Sequence, residues 1–314
     1  MTDTTSNLRR KINSAGDLQS VVRTMKAVAA SSIGQYEKSV RALIDYYHTV
    51  ELGLGACFRQ NGSAPLIAEP KNKKKAAGMT GAIVFGSDQG LVGQFNDVVA
   101  DYAVKALTNL DASPIVWAVG ERVQARLIDA GLTPIKVFGV PNSVKAITPI
   151  IGDILMESDI LQNQDDVMEL HLFYNRPTSG AVYAPVSQKL LPLDEHWRRT
   201  LAERPWPTKS LPEVMCAGTT TVKALVREYL FVSLFRACAE SLVSENASRL
   251  AAMQRADKNI DELLENLKGS FHRLRQSGID EELFDVISGF EALSKDSART
   301  ETASFDLIRR SRKF

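Results

Sequence analysis

Apolar residues at both ends of this chain recur at helical spacing for far longer than a compact domain can cover. From Leu8 to Leu54 the stripe reads Leu8, Ile12, Ala15, Val22, Met25, Val28, Tyr36, Val40, Leu43, Tyr47, Val50 and Leu54. Steps of four and three alternate through most of it, the pattern of a helix that packs on another helix for many turns. At about 1.5 Å per residue such a helix is roughly 75 Å long. Gly16 and Gly34 lie within it and weaken it by about 1 kcal/mol each relative to alanine. The second stripe opens after Ser210, whose hydroxyl can accept from a first-turn amide just before Leu211 and Pro212. It reads Leu225, Tyr229, Val232, then Met253, Ala256, Ile260, Leu263, Leu267, Phe271 and Leu274. After a shift near Gly278 it resumes as Ile279, Leu283, Val286, Phe290 and Leu293. A continuous helix there spans roughly 80 residues and about 120 Å.

Between the arms the periodicity changes. Ala82 to Phe85 is a short apolar run that ends in Gly86-Ser87-Asp88-Gln89-Gly90. Helices are expected over Asn96 to Leu110, Glu121 to Ala130 and Ser143 to Met156. Strands are expected over Pro114 to Val119, Pro134 to Val140, Glu169 to Tyr174 and Pro185 to Leu191. Strands alternating with helices imply βαβ units and a largely parallel sheet with helices on its faces. The segments Asn61 to Gly78 and Pro192 to Pro212 read as solvated linkers. Two striped helices at opposite ends of one chain bury their faces most simply against each other. The expected fold is therefore α/β: an antiparallel coiled coil of long N- and C-terminal helices with a central Rossmann-like domain. The boundaries are 1–58 for the first helix, 59–80 for a linker, 81–210 for the α/β domain, 211–293 for the second helix and 294–314 for a basic tail. The second helix is the longer, so its far end either stands alone or packs on the domain.

Composition removes several function classes. A net charge of +1 over 314 residues offers no strongly basic face for nucleic acid. No run approaches the roughly 20 apolar residues of a membrane span, and the polar Met1 to Asn7 lacks the apolar core of a signal peptide. The chain is expected in the cytoplasm, reaching a membrane only through partners. Cys57, Cys216 and Cys238 stand far apart, as do His48, His171, His196 and His272, a spacing that favours neither disulfides nor a metal centre. No catalytic residue, cofactor or metal ligand is expected.

Three features invite a functional reading. The turn Phe85 to Asn96 follows a strand and precedes a helix, a place where backbone amides bind phosphate. It matches neither GxGxxG nor GxxxxGK[ST], so a tight turn whose glycines permit close packing is the favoured reading. Basic clusters at Arg9-Arg10-Lys11 and Arg309-Arg310-Ser311-Arg312-Lys313 are either solvated ends or contacts to acidic loops of a partner. They fall at one end of the pair if the helices are antiparallel. The run Tyr229 to Phe235 is apolar all round, as in a helix buried on every side.

Three segments, in order along nearly the whole chain, carry a family likeness. They are Leu8 to Ser14 with Val21 to Ser31; Ser87-Asp88-Gln89-Gly90-Leu91-Val92-Gly93 with Asn96; and Glu240 to Met253 with Ile279 to Leu283 and Ile287-Ser288-Gly289. Together they resemble the gamma subunit of F-type ATP synthases. The resemblance implies a non-catalytic rotor shaft standing in a hexamer of alpha and beta subunits. Its α/β domain would sit on a ring of c subunits beside an epsilon-type subunit, at the cytoplasmic face of the cell membrane. It implies beta-subunit contacts at Met25, Lys26, Arg249, Glu281 and Asp285, with basic end contacts at Arg9, Arg10, Arg309 and Arg310. Gln89 and Val92 depart from the family's usual arginine and cysteine, and the divergence is similar to the alternate, sodium-type bacterial branch. The competing readings are an α/β enzyme for a phosphate ligand with a helical dimerisation arm, and a static coiled-coil scaffold. Because the stripe ends near Leu293, deleting residues 294–314 is expected to leave the α/β domain folded. Limited proteolysis that degrades residues 81–210 in the truncated chain would contradict this.

Overall fold

The computed structural model describes residues 4–61, 79–109, 114–163, 167–178, 183–210, 212–214 and 218–311. The described elements form two compact units: one takes the chain up to Arg23 and from Arg255 onward, the other Thr24–Gln254.

In the second unit, hydrophobic alternation builds a five-stranded sheet from β1 (Met79–Phe85), β2 (Ile115–Val119), β3 (Lys136–Phe138), β4 (Val167–Arg176) and β5 (Ala184–Leu191). The spatial order is β3-β2-β1-β4-β5. The first four strands pair in parallel and β5 closes the edge antiparallel to β4. Successive side chains of a strand point to opposite faces. Ala82, Val84, Val116, Ala118 and Phe173 accordingly pack with α2 (Phe95–Thr108) and α3 (Glu121–Asp129) on one face. Ile83, Phe85, Trp117, Val119, Leu172 and Tyr174 join the main core. That core also takes Ile147, Ile151 and Ile154 of α4 (Val144–Asn163), Leu201 of α5 (Glu195–Glu203), and residues of α1 (Thr5–Asn61) and α6 (Gly218–Ser311). The expected βαβ architecture with helices on both faces is present. The run Tyr229 to Phe235 is buried in this core, apart from the half-buried Phe231.

The long helices pair antiparallel within each unit. In the second, Tyr46 donates to Glu228, Tyr47 and Tyr229 rings lie 5.8 Å apart, and Gly53 faces Leu225. In the first, Gln19 and Arg23 reach Asp257 and Asp261, and Arg9, Arg10 and Phe271 border one groove. Along α1 up to Val50 the buried positions are Leu8, Ala15 and Val22 in the first unit, then Ala29, Tyr36 and Val50 in the second. Each interval is seven residues or a multiple of seven, the period of helices that wind about each other. This corrects two stripe positions. Val28 is 60% exposed while Ala29 is 1% exposed, because the 3.5-residue period advances from Val22 through Met25 and Lys26 to Ala29. By the same logic Leu263 is exposed and Leu264 turns inward.

Several helix ends differ from the sequence reading. α6 begins at Gly218, not at Leu211, and Ser210 caps no helix. The Gln60 side chain at the end of α1 donates to Pro212 O at 3.2 Å and accepts from Val214 N at 3.2 Å. Those bonds satisfy backbone groups outside a helix. Within the expected linker after Pro192, Asp194 caps α5 by accepting from His196 N. Its Trp197 and Leu201 close over the core. α6 also continues past Leu293 to Ser311, about 140 Å at helical rise. Most of the linker read over residues 59–80, from 62 to 78, lies outside the described residues, as does Cys216. Cys57 and Cys238 are buried free thiols.

Ile279, Leu283, Val286 and Phe290 are all exposed, Phe290 by 75%. Gly34 lies inside α1, and a methyl group added there would meet nothing within 4 Å. Gly34→Ala is therefore expected to stabilise the chain by about 1 kcal/mol, read as a higher urea midpoint by circular dichroism. A lower midpoint would show that the glycine serves a bend.

Candidate functional site

The glycine-rich turn between β1 and α2 is filled by its own side chains. Asn96 accepts from Ser87 N at 2.9 Å and donates to Ser87 Oγ at 2.9 Å, while Ser87 Oγ donates to Gln89 O. Asp88 reaches across the sheet edge. Its Oδ1 accepts from Glu121 N at 3.0 Å, at the start of α3, and its Oδ2 accepts from Val140 N at 2.8 Å after β3. An anion at the N-terminus of α3 would need the place this carboxylate holds. The glycines serve packing. A methyl on Gly86 would sit 2.3 Å from Val123 Cβ, and Gly120, at φ +117°, lies against the Ser87 backbone. The geometry is that of a tight turn welded to its neighbours.

Beside this turn, a cleft of about 180 Å³ is bordered by Ser32 and Tyr36 of α1, by Asp88, Gln89 and Asn142, and by Glu245 and Arg249 of α6. Glu245 is 5% exposed. It accepts from Arg249 Nη2 at 2.7 Å one helical turn away. Burial raises the Glu245 carboxyl above the ordinary glutamate range, the Arg249 charge opposes that rise, and Asp88 adds to it. Among the described residues Glu245 Oε2 and Arg249 Nε find no hydrogen-bond partner. Burial likewise raises the Tyr36 phenol, with Glu245 and then Cys238 adding to it.

The chain's likeness to known proteins can be set against this geometry. A family model described as ATP synthase matches residues 4–293. The chain belongs to the ATP synthase family. Among its relatives in that family is the ATP synthase gamma chain of a Cyanothece species, 29% identical over 91% of this chain and 98% of the relative. The ATP synthase gamma chain of an Arthrobacter species is 27% identical over 91% and 97%. Among solved structures, the rotor of the Euglena gracilis mitochondrial ATP synthase superposes with a TM-score of 0.59 at 14% identity, covering 88% of this chain and 98% of that one. A chain of the OSCP/F1/c-ring assembly from the same organism gives 0.62 at 16% identity, covering 92% and 94%. At those identities the structural likeness concerns the fold.

Within this ATP synthase family chain, the residues singled out from sequence fall in different settings. Met25 and Lys26 are half-buried on α1, and Arg249 is held by Glu245 with its side chain 11% exposed. Glu281 and Asp285 are exposed on α6. Arg9 and Arg10 are exposed and border an open groove with Thr5, Ser6, Asn13, Phe271 and Arg275. The structure thus brings Arg275 beside them. Arg309 and Arg310 stand on α6 more than thirty residues beyond Arg275, about 50 Å along the helix, and their side chains are outside the described residues. The two basic clusters do not share an end, because α6 overshoots the start of α1. Among the described residues no group of histidine, cysteine, aspartate or glutamate side chains could hold a metal ion. No described helix is long and apolar enough to cross a membrane.

Sequence reading passed over Glu240 and Glu245, both buried on α6. The available signal was an acid inside a stretch buried on nearly every side, where an ionised group demands a partner. Because its carboxyl is raised, folding favours protonated Glu245. That contribution is present at low pH and is lost as pH climbs through the folded-state value. Wild-type stability relative to Glu245→Gln is expected to fall as pH rises above the ordinary glutamate range, measured by urea unfolding from pH 4 to 8. A difference that stays flat would contradict the assignment.

Proposed function

We propose that this chain is the central rotor shaft of an F-type ATP synthase, the gamma subunit, and performs no catalysis itself. One observation carries the reading: two very long helices pair antiparallel in a chain that also carries a five-stranded α/β domain, and the family match runs through residues 4–293. In this role the α/β domain is seated on a ring of c subunits beside an epsilon-type subunit. The paired helices stand inside a hexamer of alternating alpha and beta subunits. Those partners hold the chain at the cytoplasmic face of the membrane.

The physical work is conformational bias. A shaft whose faces differ presents a different surface to each of three beta subunits. A beta subunit then populates whichever conformation meets its present face best. Ion-driven rotation moves that preference around the hexamer, and hydrolysis runs the cycle backward. Stiff transmission requires helices locked side to side, which the seven-residue burial on α1 supports.

Glu281 and Asp285 are proposed as beta-subunit contacts, supported by their exposure where α6 has outrun its partner. Met25 and Lys26, half-buried, offer narrower faces to the same partner. Arg249 acts from its ion pair with Glu245, so it shapes the surface more than it reaches out. Arg9 and Arg10, beside Arg275 and Phe271, are proposed to meet acidic loops of the hexamer, and Arg309 and Arg310 to do so further along α6. The enzyme alternative is not favoured: the Asn96 side chain already bonds Ser87 N and Ser87 Oγ inside the glycine turn.

The test is a reversible lock. A cysteine at Asp285, paired with one in the facing beta loop of the assembled complex, is expected to stop multi-turnover ATP hydrolysis when oxidised. Reduction should restore it. Hydrolysis that continues through the lock would make the chain a static scaffold.

A further inference from the structure

On α6, Glu240, Ser244 and Ser248 stand one turn apart on a single face and all three are buried. None meets the apolar core alone. Glu240 Oε2 accepts from Tyr174 Oη at 3.0 Å and from Arg176 Nε at 3.1 Å, while Oε1 accepts from Arg236 Nε at 2.7 Å. Ser244 Oγ donates to Asn175 O at 2.9 Å and lies 3.0 Å from Glu240 O. Ser248 Oγ donates to Val92 O at 2.6 Å. Asn175, wholly buried, donates in turn to Phe95 O at 2.9 Å. Three consecutive residues that end β4, together with the turn leading into α2, therefore grip three consecutive turns of α6. β4 lies between β1 and β5, so the grip is tied into the sheet on both sides.

Apolar packing around these turns is non-directional. Side chains such as Leu234 and Leu242 hold the helix against the sheet but resist rotation about its axis weakly, because a small slide exchanges one apolar neighbour for another. Hydrogen bonds weaken steeply with angle, and a buried carboxylate or hydroxyl that loses its partner is left unsatisfied. A row of such bonds resists both twist and slip.

We propose that this polar seam carries torque between the α/β domain and α6, with Glu240 as its principal positioning residue. The inference rests on the rotor reading. It adds where in the chain the load passes: turning force applied to the sheet enters α6 at residues 240–248, before the helix leaves for its partners.

The experiment uses the assembled, membrane-reconstituted complex with a bead on the α/β domain. Angular variance is measured while the hexamer is arrested, and ions pumped per ATP are measured alongside. Glu240→Gln with Ser248→Ala is expected to widen the variance at least about twofold and to lower pumping per ATP against a load. Unloaded hydrolysis should stay near wild type. Ser248→Ala alone, which deletes one hydroxyl, should widen it by a smaller amount, and Ser248→Thr should restore it. Leu234→Val, an apolar control lowering stability in the same region, should leave it unchanged. Seam variants with wild-type variance and pumping, or an apolar control that widens the variance equally, would overturn the seam. A wild-type complex that hydrolyses ATP with no rotation of the bead would instead overturn the rotor reading on which it stands.

Discussion

Burial at seven-residue intervals along α1, from Leu8 to Val50 with Leu43 half-buried, is the constraint from which the rest of this molecule follows. A straight helix has 3.6 residues per turn, so a seven-residue repeat keeps one line of side chains covered only if a partner helix follows it around. α6 is that partner in both units. The covered residues range from small, at Ala15 and Ala29, to large, at Tyr36 and Leu54. Isolated in water, each helix would expose its whole apolar line. Within the first unit Gln19 and Arg23 of α1 bond Asp257 and Asp261 of α6.

Where α6 passes the α/β domain, the demands on it change. Between Tyr229 and Ala252 nearly every side chain is covered, and polar groups inside that stretch must find partners or destabilise the fold. Glu240 finds two arginines and a tyrosine, and Ser248 a carbonyl. Glu245 finds one arginine, and among the described residues its second oxygen has no partner. A purely apolar helix could be held as firmly in free energy. It would not be held in one angular position, and a part that transmits force needs angle as much as stability.

From Ile279 to Phe290 the same helix is exposed at every position. Phe284, Val286 and Phe290 lie open, at a cost in solubility that only a surrounding partner offsets. One helix thus plays three parts in sequence: anchored by polar bonds, paired by apolar ones, then bare. Each part is set by what lies beside it. Helical propensity does not separate them.

The residues alone determined the two long helices, the alternation of strands and helices between them, and the placement of most element ends within a few residues. Periodicity is a local property and survives without coordinates. The glycine turn was legible as a turn because its spacing fits no phosphate motif. Tertiary structure decided what periodicity cannot. Whether Val28 or Ala29 turns inward depends on the winding of two helices around each other, and a stretch permitting either choice reads the same in one chain. The start of α6 at Gly218 depended on Gln60, distant in sequence, capturing the backbone at Pro212 and Val214. The grip of β4 on Glu240 and Ser244 joins residues more than sixty positions apart. Such bonds are chosen by the fold after it forms, so no local pattern announces them.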